Sequence, residues 1–347
     1  MKKLSLAAGT ALLASAAMVQ AGGIERTSQS VDIIFEEGSL VEFGISYAMP
    51  SVSGVDPAAL NTGVMSPNYL SFSGGYKTDI GEKIGLAIIF DQPFGSLAEY
   101  TAGFYTGTAA DLTSSAITVI GSYDVTERIV VFGGGTYQTM AATAGVPFVG
   151  GYTIVADSAS GFGYVAGAAY QIPDIALRVA LTYRSTVSTT HNTLEFGALP
   201  GTMDVVTPQS VNLEFQTGIN PKTLVFGSIR WVDWSAFDLT PPNYPLGSLV
   251  DYTDDRITYN LGVGRKLTDT LSAAVTLGYE RDLGGAPAPL APTDGFFSVG
   301  AGLTYTMGNT KISGGAKYIW LGDTTGAAGT FTNNSAIGIG LNISVAM

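Results

Sequence analysis

Ile175, Leu177, Val179, Leu181 and Tyr183 occupy one face of a two-residue rhythm, and Ala176, Arg178, Ala180, Thr182 and Arg184 occupy the other. Successive side chains of a β-strand point to opposite faces, so the pattern predicts a strand with one apolar side and one small or polar side. The rhythm returns at Leu271, Ala273, Val275, Leu277 and Tyr279 against Ser272, Ala274, Thr276, Gly278 and Glu280. It returns again at Phe297, Val299, Ala301, Leu303 and Tyr305 against Ser298, Gly300, Gly302 and Thr304. Carried along the chain, it predicts strands near 39–50, 69–79, 84–94, 111–123, 128–140, 161–172, 175–188, 204–218, 223–237, 256–266, 270–282, 294–306, 310–321 and 335–347.

The connections between these strands alternate in length. Tight turns at Ile80 to Lys83, Asp124 to Glu127, Pro173-Asp174, Asn220 to Lys222, Leu267 to Asp269 and Gly308-Asn309 separate longer stretches at 51–68, 95–110, 141–160, 189–203, 238–255, 283–293 and 322–334. Short turns at one end and long loops at the other are the rule of transmembrane barrels, with both termini on the periplasmic side. Composition points the same way. Only 13% of the residues are charged and 46% are hydrophobic, yet after residue 21 no run of about eighteen apolar residues could cross a bilayer as a helix. A chain that is apolar on average without a helical span fits the other spanning solution, a closed sheet in which every backbone group is paired. A soluble β-sandwich would also alternate, but its loops would not sort by length between two ends. The expected fold is therefore all-β, a transmembrane antiparallel β-barrel of about fourteen strands over 39–347.

Lys2 and Lys3 precede an apolar run from Leu4 to Val19 that closes at Val19-Gln20-Ala21, the form of a secretory signal peptide over 1–21. The formal charge of −12 grows more negative when the two lysines are removed, which argues against binding nucleic acid through phosphate neutralisation. The absence of cysteine excludes disulfides and thiolate chemistry. His191 is the one histidine and falls in an expected outer loop, where it reads as solvent-exposed; no serine pairs with it on a strand face. Asp251, Asp254 and Asp255 read as a loop cluster that either solvates the loop or binds calcium weakly. No enzyme activity, cofactor or required metal is expected.

Trp231-Val232-Asp233-Trp234-Ser235-Ala236-Phe237, at the end of an outward-running strand, resembles the W-x-x-W-S-x-F stretch of the FadL/TodX family of outer-membrane transporters for long-chain fatty acids and hydrocarbons. Thr207-Pro208-Gln209-Ser210-Val211 is similar to the family's opening of the preceding strand. Pro287 to Pro292 with Thr293-Asp294-Gly295 resembles its proline-rich loop, and Leu86 to Tyr100 resembles its kinked third strand. The resemblance covers most of Leu86 to Met347. It implies a fourteen-stranded barrel with an N-terminal plug, for which only Gly22 to about Gly38 is left (22–38), without the family's proline-bearing element. It also implies a bacterial outer-membrane location and passage of hydrophobic small molecules with sideways release, in contact with outer-membrane lipid and as a monomer. A general diffusion porin and a structural or adhesive surface barrel are the competing readings.

Two groups of residues are candidates for that work. Pro93 cannot donate a ladder hydrogen bond, so Asp91, Gln92, Pro93, Phe94 and Gly95 mark either a lateral window in the wall or a strand end with a turn proline. A carboxylate crossing an apolar lumen needs cations or hydrogen-bond donors, and strand parity turns Arg178, Arg184, Arg230 and Lys317 inward. These four either contact ligand or pair with lumen acids such as Glu214 and Glu280. Trp231, Trp234 and Trp320 are expected at the membrane interface.

Overall fold

The computed structural model describes residues 23–284, 289–326 and 328–347. The expected signal peptide and residues 285–288 of the proline-rich loop lie outside the described residues. One antiparallel sheet dominates, and three pairs of its seventeen stretches are collinear pieces of a single strand, leaving fourteen staves. They are β1 (Leu40–Ser51), β2 (Tyr69–Ile80), β3 (Ile84–Asp91, resuming at Gly95–Glu99), β4 (Ala109–Thr126) and β5 (Ile129–Val146). β6 (Tyr152–Ile172), β7 (Leu177–Arg184, resuming at Val187–Glu195), β8 (Leu199–Thr207, resuming at Ser210–Asn220) and β9 (Thr223–Val232) follow. The circuit ends with β10 (Arg256–Lys266), β11 (Leu271–Glu280), β12 (Phe296–Met307), β13 (Thr310–Leu321) and β14 (Ser335–Ala346). β14 pairs with β1 from Leu40↔Ala346 to Ser51↔Ser335, which closes the sheet on itself and leaves no terminal edge.

The wall obeys the parity read from sequence. Phe43, Ile88, Ile117, Leu181, Leu261, Val275, Leu303 and Ile339 are exposed on the exterior. Tyr137, Tyr164, Tyr259, Tyr279 and Trp320 ring the exterior toward the loop end, and Tyr123, Tyr170 and Tyr305 do so near the turn end. An apolar belt edged by aromatic rings is stable in a lipid solvent, where the rings sit at the headgroup level.

Three of the expected loops are sheet. Strands β5 and β6 run on through most of 141–160, β7 and β8 form a hairpin through 189–203, and β3 resumes within 95–110. These strands continue past the apolar belt, where neither face meets lipid and the hydrophobic alternation that marks a spanning strand fades. A register shift between Met140 and Ala142 breaks the rhythm further in β5.

Two single-residue expectations are also corrected. His191 is not solvent-exposed. It is 1% exposed within the β7–β8 hairpin, with its Nε2 2.8 Å from Thr189 Oγ1 and its Nδ1 2.8 Å from the Asp157 carbonyl. Trp234 is not an interface anchor, because β9 stops at Val232 and a 3-10 turn over Trp234–Ala236 swings the indole inside, where it is 1% exposed. Trp320 does face outward, stacked on Phe297.

Trp231 is partly buried, and its Nε1 donates to Asp255 Oδ2 at 3.0 Å, while Ser235 Oγ donates to Oδ1 at 2.7 Å. Burial pushes the Asp255 carboxyl up, but the bonds from Ser235 and Trp231 outweigh it and hold the group below its ordinary value. A lowered folded-state value means that this contact is complete above the ordinary carboxylate range near about 3.9 and is lost as pH falls through the lower folded value. Trp231 fluorescence, followed in a Trp234→Phe/Trp320→Phe background, should therefore hold steady down to about pH 4 and change only below it. A transition at pH 5 or above would contradict this assignment.

Candidate functional site

Residues 23–38 lie inside the barrel and meet inward-facing groups from several strands. Val31, Ile33 and Ile34 pack against Ala87, Ile89, Ile120, Phe132 and Val165, so the segment is fastened to the wall by apolar burial around its 3-10 turn at Asp32–Phe35. Toward the loop end the contacts become polar. Asn212 donates to the Ser28 carbonyl at 3.0 Å, Ser30 donates to Glu214 at 3.0 Å, and Thr27 donates to Asp91 at 3.0 Å.

Three of the four basic residues singled out by parity converge on this segment. Arg178 donates to Asp32 Oδ1 at 2.6 Å and lies 4.3 Å from the centre of the Phe35 ring. Arg184 donates through Nε and Nη2 to the Gln29 carbonyl at 3.2 and 2.8 Å. Arg230 donates to Glu25 Oε1 through Nε at 2.8 Å and through Nη2, and to Asn212 Oδ1 at 2.7 Å. Their partners are therefore the N-terminal segment and Asn212; Glu280 instead accepts from Thr258 at 2.7 Å. Lys317 differs: it stands between Gly300 and Gly338 in the strand register, which leaves room around it, and its ammonium makes no hydrogen bond or ion pair among the described residues.

The kink in β3 changes which partner its edge takes. β2 and β3 pair from Ile80↔Ile84 only up to Gly74↔Phe90, so β2 from Tyr69 to Ser73 is paired on its β1 side alone. Beyond the break, Gly95–Glu99 keeps its ladder to β4 and turns its other edge inward. There Arg26 N donates to the Pro93 carbonyl and Gly95 N donates to the Ile24 carbonyl, both at 2.7 Å. Proline thus accepts from the N-terminal segment where it could not have donated to β2. Gln92 turns back to accept from Phe72 N at 2.8 Å, which satisfies one amide left over by the missing ladder. All five residues of the expected window lie at this discontinuity, between the free stretch of β2 and the resumed β3.

Three cavities meet around the N-terminal segment. Toward the turn end, a polar chamber of about 170 Å³ is lined by Glu42, Ser73, Asp91, Glu214, Lys311 and Lys317. Toward the loop end, an apolar cavity of about 40 Å³ is walled by Ile24, Leu112, Ile154, Met203, Val250 and Tyr252. A third cavity of about 90 Å³ lies beside the discontinuity, against Pro50, Tyr69, Gly95 and Leu97, and shares Ile24 and Tyr252 with the apolar cavity and Arg26 with the polar chamber. Trp234, Phe237, Tyr252, Tyr152 and Phe94 pack above and beside the apolar cavity, and its interior carries few polar groups. Arg26 and Tyr252 were not among the sequence candidates. The signal available for Arg26 was that it is the sole basic residue between Gly22 and Gly38.

No protein-family model matches the chain, and no curated protein matches it. Solved structures do. The chain is similar to a FadL homologue of Pseudomonas aeruginosa, with a TM-score of 0.74 at 12% identity over 96% of this chain and 100% of that one. It is similar to the toluene transporter TodX of P. putida, with a TM-score of 0.70 at 12% identity over 92% and 93% of the two chains. The toluene transporter TbuX of Ralstonia pickettii gives a TM-score of 0.64 at 14% identity over 90% of each chain. At these identities the likeness establishes the fold, a closed fourteen-stranded barrel of the FadL/TodX kind.

Proposed function

We propose that the protein is an outer-membrane channel through which hydrophobic small molecules diffuse, leaving sideways through the gap between β2 and the kinked β3. The observation that carries this reading is the continuity of the two smaller cavities. An apolar pocket under the loops shares residues with the cavity beside the one stretch of β2 that lacks its β3 partner. A molecule seated in the apolar pocket reaches lipid along that route without crossing the polar chamber, which its apolar surface disfavours. The proteins that share this fold, a FadL homologue and toluene transporters, accord with such cargo. In this reading residues 1–21 direct export and 22–38 form a short plug, with Arg178, Arg184 and Arg230 as its anchors. Lys317 is left as the cation of the lower chamber available to an anionic cargo.

The test is to restore the ladder. Pro93→Val with Gly95→Val removes the residue that cannot donate and the one that leaves space beside the break. Uptake of labelled oleate or an alkane, normalised to folded barrel, is expected to fall to the level of cells lacking the protein. Unchanged uptake would rule out the wall gap as the route. The porin reading is separated by liposome swelling: the channel proposed here gives no ready sugar flux.

A further inference from the structure

Between β9 and β10 the chain forms a separate two-stranded arm over 238–251, in which Asp238–Leu239 pairs with Val250–Asp251. Its base is fixed, because Phe237 and Tyr252 are buried and both rings pack against Trp234. Above the base the arm lies beside the hairpin made by the upper parts of β7 and β8. No ladder joins the two, since Leu199–Thr207 of β8 pairs with β7 alone. A seam without backbone pairing therefore runs between hairpin and arm.

One side chain crosses that seam. Glu195, at the tip of β7, is fully buried. Its Oε2 accepts from the Tyr152 hydroxyl at 2.8 Å and from Asn243 N at 3.1 Å, and its Oε1 accepts from Asn243 Nδ2 at 3.0 Å. Among the described residues, the two bonds from Asn243 are the only hydrogen bonds by which the arm reaches beyond its own base. Beside them the Tyr244 ring packs on Tyr152 and Pro242 sits against Gly201. The underside of the arm is apolar: Leu239, Leu249 and Val250 roof the apolar cavity and face Ile154, Ala156 and Met203 on the wall.

We infer that the arm is a hinged roof over the apolar cavity, that Glu195 is its latch, and that cargo enters from outside by lifting the arm along the seam. The inference rests on the uptake reading above and adds a way in to the way out. Lifting the arm breaks the two bonds to Glu195 and leaves the barrel ladder and the Phe237–Tyr252 base in place. It also uncovers Leu239, Leu249 and Val250, which water does not stabilise and an arriving apolar molecule does. The closed arm is therefore the resting state, and apolar cargo shifts the equilibrium toward the open one.

The chain contains no cysteine, so introduced thiols report without background. A Cβ on Gly201 lies 3.0 Å from Pro242 Cγ, which suits a disulfide clasp across the seam in Gly201→Cys/Pro242→Cys. The oxidised clasp is expected to lower uptake of a labelled alkane, normalised to folded barrel, to the level of cells lacking the protein, and reduction should restore it. Equal uptake by the oxidised and reduced forms overturns the entry route and spares the uptake reading. The latch is read separately and without cargo. Met203→Cys, beneath the roof, should react with a water-soluble maleimide about tenfold or more faster once Glu195→Gln is added. Asn243→Ala, on the exposed side of the latch, should shift the rate in the same direction, which keeps the test intact if Glu195→Gln fails to fold. Equal labelling rates with and without these substitutions overturn the latch. If wild type and the reduced double variant take up no alkane, the uptake reading falls and the entry route with it, and the labelling rates alone decide whether the arm opens.

Discussion

Replacing Glu25 with alanine is expected to loosen the N-terminal segment from the barrel while leaving the barrel folded. Glu25 and Arg230 are a buried pair, with side chains 1% and 4% exposed, and Arg230 completes its bonding on Asn212. Removing one partner leaves the other charge buried and unpaired, at a cost of about 3–5 kcal/mol. The segment keeps its apolar foot at Val31, Ile33 and Ile34, so the release should begin at its loop end, around Ile24 to Ser28. Two signals follow: ion conductance in planar bilayers that wild type lacks, and trypsin cleavage after Arg26 in barrels that still migrate as folded on unheated gels. Replacing both partners at once, Glu25→Leu with Arg230→Met, removes the stranded charge, and buried pairs exchanged in this way are often neutral. The double variant should therefore conduct less than Glu25→Ala. A closed, trypsin-resistant Glu25→Ala barrel would show that the pair does not hold the segment.

The sequence made the wall legible and the interior opaque for one physical reason. A strand between lipid and lumen must alternate, so Val179, Leu181 and Tyr183 declared one side and Ala180, Thr182 and Arg184 the other without reference to any distant residue. The N-terminal segment has no such rhythm. Its acidic and carbonyl groups find partners 146, 155 and 205 residues away, at Arg178, Arg184 and Arg230, and a single sequence carries no sign of which charges meet. Parity could say that the three arginines point inward but not that Asp32, Gln29 and Glu25 wait for them. The kink was visible because Pro93 breaks the ladder by itself. That its carbonyl would accept from Arg26, and so bring a cation to the gap, depended on where the N-terminal segment came to rest. Trp234 was misplaced by one turn: two residues beyond the end of β9, a 3-10 turn decides whether an indole meets lipid or the lumen, and the alternation has ended by then.

Gly134→Ala should impair assembly more than any other single methyl group added to β5. Gly134 sits between Ile120 of β4 and Val165 of β6 in register, on the inward face where those two side chains are fully buried. A Cβ at this position would lie 1.8 Å from the Val119 carbonyl oxygen, 2.8 Å from its carbon and 2.9 Å from Ile120 Cα. All three are backbone atoms, so no rotamer change relieves the overlap, and the strands must part. Overpacking that a side chain can absorb costs about 1–3 kcal/mol, and a backbone collision in the wall should exceed the upper end of that range. The alternative, sliding β5 by one residue, would turn its lipid face inward and is worse. Gly145 is the control, because a Cβ there meets nothing within 4 Å. Gly145→Ala should be neutral or stabilise by about 0.4–1 kcal/mol through the unfolded chain. The comparison is read as the fraction of heat-modifiable folded barrel and its urea midpoint in matched lipid. Equal values for the two variants would mean that β4 and β5 do not approach as closely at Gly134 as this register requires.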